Sequence, residues 1–118
     1  MTIVVIAIGA AIGGFIRFVV EYKFPPVGRT AFPVATFAVN VLGSFILGFI
    51  VTAPAPWHAS LGVGLCGALT TFSGVSLQIT RRLRAQDWQN ALKYVALSLL
   101  FACLCAWAGM QLGQRVTW

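Results

Sequence analysis

Residue types able to do chemistry occur at three places inside otherwise apolar sequence. The densest is the run Gly62-Val63-Gly64-Leu65-Cys66-Gly67-Ala68-Leu69-Thr70-Thr71-Phe72-Ser73-Gly74, with four glycines, two threonines and a serine. Glycine forms helix poorly, so this run predicts a helix break whose freed carbonyls face an ion or a cavity. Non-helical backbone at membrane depth survives only in such surroundings. Tight helix packing by small residues is the competing reading. The second place is Asn40, within Phe37-Ala38-Val39-Asn40-Val41-Leu42-Gly43-Ser44-Phe45. A carboxamide among apolar residues demands partners. Either it bonds a Ser or Thr on a neighbouring helix, or it offers its N–H to an anion. The third is Arg17, near the end of the first apolar run, where a long side chain is expected to snorkel to the membrane interface.

The missing residue types narrow the chemistry further. The chain has two carboxylates, Glu21 at the edge of an apolar run and Asp87 between two others, and one histidine, His58. That leaves no nucleophile–base constellation for an enzyme. It also leaves no mid-membrane acid of the kind a proton-coupled transporter needs. Cys66, Cys103 and Cys105 all lie in apolar segments, with no disulfide or metal-ligand spacing, and read as small hydrophobes.

The elements that must position these groups are apolar helices. Of 118 residues, 59% are hydrophobic and 8% charged, where a soluble domain carries roughly a quarter charged. A spanning helix takes about 20 apolar residues. Four such segments fit, at about 2–20, 31–53, 59–80 and 91–112, giving an all-α, four-helix transmembrane domain over residues 1–118 with its third helix broken at mid-membrane. Hydrocarbon forces backbone hydrogen bonds to close within each segment, which excludes open strands. Trp57, Trp88 and Trp118 fall at span ends, where an indole sits half wet. Gly9/Gly13 and Gly109/Gly113 have the spacing that lets helix backbones approach. The first segment lacks the basic start of a signal peptide.

The net charge of +6 comes from basic residues placed between the spans. Such placement sets membrane topology and argues against nucleic-acid binding. Lys23, Arg29, Arg81, Arg82, Arg84 and Lys93 lie on one side and Arg115 on the other. Both termini are therefore expected outside the cytoplasm.

Gly13-Gly14-Phe15-Ile16-Arg17-Phe18, the run from Thr36 to Gly48 and the run from Gly64 to Ser73 together resemble the Fluc/CrcB family of fluoride channels, over essentially the whole chain. The resemblance implies a bacterial inner-membrane protein that pairs with an inverted copy to form two parallel fluoride pores, exporting the ion and lowering its toxicity. It implies a structural sodium ion at the dimer interface, held by backbone carbonyls that fall on Gly67 and Thr70. It places Asn40, Thr71, Phe72, Tyr94 and Ser98 in the pore, and gives Arg17, Gly74 and Val75 structural positions. Small donors suit a strongly hydrated anion, and an aromatic ring offers it an electropositive edge.

The chain departs from the family's pattern at three positions. Val75 stands for the second pore Phe, Gln78 for an acid, and Ala102 for a second Ser. With the six-to-one basic bias, these departures suggest one fixed-orientation member of a heteromeric pair. Two other readings share the four-span outline. One is a small multidrug-resistance-type transporter, the other a non-conducting membrane assembly subunit.

Overall fold

The computed structural model describes residues 1–28 and 31–118, so Arg29, counted above with the basic cluster, lies outside the described residues. Helices and short connections make up the described chain, without a strand. Their order is α1 (Thr2–Lys23), α2 (Val34–Phe49), α3 (Ala55–Trp57), a π-helical segment (His58–Cys66), α4 (Gly67–Leu69), α5 (Phe72–Arg84) and α6 (Trp88–Gly113). Three stretches, Thr2–Lys23, Ala55–Arg84 and Trp88–Gly113, are long and apolar enough to cross a membrane. Their outer faces are bare hydrocarbon: Phe15, Phe18 and Leu92 are each more than 60% exposed, which suits lipid and not water.

The second apolar segment forms a shorter helix than the 31–53 expected. Pro33 stands at its N-cap and Ile50 leaves helical geometry at its C-cap, so α2 has 16 residues, a length of about 24 Å. Pro54 and Pro56 then start the third span, where proline's missing N–H does no harm.

Two seams of close backbone contact hold the bundle. A Cβ on Gly9 would strike the Ser60 carbonyl, and one on Gly13 the Leu65 carbonyl; from the opposite side, a Cβ on Gly64 would meet Ile6 O at 2.6 Å. Here α1 lies directly on the π-helical segment. The second seam joins α2 to α6, where Gly48 abuts the Ala106 carbonyl, and Gly109 and Gly113 abut those of Phe45 and Phe49. Without a hydrophobic drive between helices in lipid, such close approach supplies the packing energy.

The C-terminal end is tied down beside the second seam. Trp118 donates from Nε1 to Thr52 Oγ1 at 3.2 Å and packs edge-on against Phe49. Between α5 and α6 the turn is tight. Asp87 N–H reaches Arg82 O and Gln86 N–H reaches Leu83 O, a helix-ending pattern that puts Gln86 at φ 56°. Asp87 then caps α6 by accepting from Asn90.

The break in the third span lies at the threonines, not the glycines. The chain stays helical through Leu69, then Thr70 (φ −76°, ψ 153°) and Thr71 (φ −146°, ψ 122°) are extended before α5 begins. Gly62, Gly64 and Gly67 are all helical. The two readings of this run therefore divide it between them: packing by small residues governs 62–67, and unwinding governs 70–71.

Candidate functional site: a cleft at the helix break

Asn40 holds the break open. Its Oδ1 accepts the Thr71 N–H at 2.7 Å and its Nδ2 donates to the Thr71 carbonyl at 3.2 Å. A side chain thus pairs both backbone groups of one residue, much as a neighbouring strand would. Its partner is Thr71's backbone, not a Ser or Thr hydroxyl. Because Thr71 N–H is spent on Asn40, the Gly67 carbonyl four residues earlier loses the donor that a continuous α-helix would give it. Asn40 itself is fixed on α2, where Ser44 Oγ donates to its carbonyl at 2.8 Å.

On the other side of the break Thr71 caps α5. Its Oγ1 accepts from Gly74 N–H at 3.0 Å and lies 3.0 Å from Ser73 Oγ, satisfying one of the donors a helix start leaves open. Gly74 serves approach here, since a Cβ on it would meet the Thr71 and Thr36 methyls at 2.9 and 3.2 Å. Thr70 turns its hydroxyl back to Cys66 O at 2.9 Å. The resulting geometry places the carbonyl end of one half-helix and the N–H end of the next side by side, partial negative against partial positive.

A cleft of about 600 Å³ opens over this break. Asn40, Gly67, Thr70, Thr71, Phe72, Val75 and Ser98 all line it, together with Ser44, Cys66 and Ala102. Asn40 has a second amide N–H beyond the one given to Thr71. Phe72 is 85% exposed.

Three of the sequence-predicted residues lie off the cleft. Gly74 is behind it, as described. Tyr94, one turn before Ser98 on α6, is only 1% exposed and packs edge-on against Phe32, with ring centroids 5.6 Å apart. The hydroxyls of Tyr94 and Ser98 are both buried; they are near neighbours of each other, and among the described residues neither meets full hydrogen-bond geometry with a partner, a costly state unless something binds them. Arg17 does not snorkel outward. Its Nη1 turns inward to the Thr70 carbonyl at 3.5 Å, because the broken backbone offers an acceptor that the intact helix would have used.

Arg82 is the residue the sequence misplaced. Counted with the topology-setting basic cluster, it is 1% exposed. Nη1 donates to Gln78 O at 2.9 Å and to Gln78 Oε1 at 3.3 Å, Nη2 donates to the Ala31 carbonyl, and the guanidinium lies 5.3 Å from the Tyr94 ring centroid. The i, i+4 spacing of Gln78 and Arg82 was the available signal. Neighbouring Arg81 and Arg84, both exposed, hid it.

Relatives support the membrane reading and identify the family. Residues 4–110 match the family described as "CrcB-like protein, Camphor Resistance (CrcB)". The chain is 36% identical to "Fluoride-specific ion channel FluC 2" of Bacillus cereus, an alignment covering 92% of this chain and 93% of the relative. It is 38% identical to "Fluoride-specific ion channel FluC" of Ignicoccus hospitalis, with 94% of each chain covered. It is 36% identical to "Fluoride-specific ion channel FluC 1" of Listeria innocua, over 92% of this chain and 93% of that one. With apolar helices long enough to cross a bilayer and relatives matched over more than nine-tenths of each chain, this multi-pass membrane protein belongs to the CrcB-like (FluC) family.

Proposed function

We propose that this chain is one subunit of a fluoride-selective passive channel that exports fluoride across the bacterial inner membrane, working as a pair of oppositely inserted subunits with two pores. The observation that carries the reading is the cleft: Asn40, Thr71, Ser98 and the bare ring of Phe72 line a single cavity at the helix break. Hydroxyl and amide donors replace the water that a small anion must shed, and the ring edge adds weak positive potential. Several weak sites in a row allow the ion to leave. An inside-negative potential favours anion exit by about 2.3 kcal/mol per charge per 100 mV, so no coupled acid is required. Glu21, at the end of α1, and Asp87, capping α6, leave none in the cleft. That disfavours a proton-coupled multidrug transporter.

The exposed face around Phe72 fits closure by a second subunit. The Gly67 carbonyl, deprived of its helical donor, and the Thr70 carbonyl, engaged only by the long Arg17 contact, suit a hard monovalent cation such as sodium, shared with the same pair from the other subunit. When bound, such an ion supplies a fixed positive charge between the two pores. Arg17 contributes its own charge at the same carbonyl.

A heteromeric pair is the more specific form of this reading. Its support is the one-sided basic bias together with Val75 and Ala102, which put aliphatic side chains on the cleft wall. Two relatives carry numbered names, FluC 1 and FluC 2, which accords with paired chains. The test is fluoride efflux from liposomes holding the purified protein, alone and with a related subunit, with chloride as control; efflux from this chain alone with both faces equally represented would overturn the heteromeric form and leave the channel reading standing. Phe72→Ile removes the exposed ring, and Asn40→Asp removes both amide donors and adds negative charge. Each is expected to cut efflux more than about tenfold in protein that still elutes as the folded species. Wild-type efflux in both would sink the pore assignment.

A further inference from the structure

Arg82 carries a charge that neither the fold's topology nor the cleft accounts for. Taking a guanidinium out of water costs several kcal/mol, and buried arginines usually answer that cost with a carboxylate. This one does not. Its partners are the Gln78 carbonyl and amide oxygen, the Ala31 carbonyl and the Tyr94 ring. Of the chain's two side-chain carboxylates, Asp87 accepts from Asn90 and Glu21 stands near the end of α1. Dipoles and a π-face solvate the cation without neutralising it, and a guanidinium keeps its proton under all ordinary conditions. The full unit charge persists inside the bundle.

Beside it sit two buried hydroxyls, those of Tyr94 and Ser98. The Tyr94 ring lies under the guanidinium; its O–H and that of Ser98 one turn on are buried near each other, and among the described residues neither meets full hydrogen-bond geometry with a partner. A pair of buried O–H donors next to an uncompensated positive charge is a binding environment for a small inorganic anion. The same charge repels cations. We propose that Arg82 is a positioning residue for permeation: it supplies the fixed charge that holds an anion at the Tyr94 and Ser98 hydroxyls. The proposal rests on the channel reading above.

Gln78 supplies the test. Gln78→Glu places a carboxylate where Oε1 now lies, 3.3 Å from Nη1, cancelling the charge while keeping the guanidinium in place. Fluoride efflux is measured from liposomes over a range of internal fluoride. In Gln78→Glu the half-saturating concentration is expected to rise about tenfold, with a much smaller change in maximal rate. Gln78→Met loses the same amide contact without adding charge and is expected to shift it far less. Arg82→Met, if it folds by gel filtration and thermal melting, shifts it in the same direction as Gln78→Glu. Unchanged half-saturation in Gln78→Glu overturns the proposal. So does an equal shift in Gln78→Met, which would mark the contact as structural. A wild-type protein that passes no fluoride, either alone or reconstituted with a related subunit, overturns the channel reading itself, and this proposal with it.

Discussion

The two halves of the third span use similar small residues to opposite ends. In the first half Gly64 lies in a seam with α1 so close that a Cβ would meet carbonyl oxygen. Polar backbone groups there are satisfied by the helix, and what matters is the absence of a side chain. Two residues past that half, Thr70 and Thr71 leave the helix, and backbone groups are satisfied by Asn40 and Arg17 or left open. Side chains matter there. Glycine content therefore marks where backbones touch, while the break depends on a neighbour that bonds the extended peptide better than the helix would.

The contrast breaks down if substitutions on the two sides behave alike. The largest expected effect is on the packed side. Gly13→Leu drives a branched side chain into the Leu65 backbone, which has no rotamer to yield, and should destabilise by about 3 kcal/mol. Loss of the folded species in gel filtration after mild heating would report it. Next comes the clamp. Asn40→Ala strands both backbone groups of Thr71 and is expected to cost about 2 kcal/mol, read as a lower thermal midpoint together with lost efflux. Thr71→Ala removes only the α5 cap, for about 1 kcal/mol.

The sharpest case has almost no stability effect. Tyr94→Phe deletes a buried hydroxyl that meets full hydrogen-bond geometry with none of the described residues. Folding stability should stay level or rise by up to about 1 kcal/mol, while fluoride efflux falls several-fold. A clear loss of stability in this variant would mean that the hydroxyl has a structural partner, and its place in the pore would have to be given up.

Residue type and spacing alone determined a good deal of this protein. Apolar length fixed helices as the only spanning element, because hydrocarbon leaves backbone groups no other donors. The Gly9/Gly13 and Gly109/Gly113 spacings located both seams, since that period puts two missing side chains on one helix face. The motifs around Asn40 and Thr70 located the cleft. Tertiary structure decided the rest. Where the third span breaks is set by Asn40, thirty-one residues from Thr71, and no local propensity records that pairing. Whether an arginine faces lipid headgroups or the bundle depends on which acceptors lie within its reach. Arg17 found a carbonyl freed by the break, and Arg82 found Gln78, Ala31 and a tyrosine ring. A long flexible cation goes to the acceptors that solvate it best, and only the folded chain brings those acceptors together.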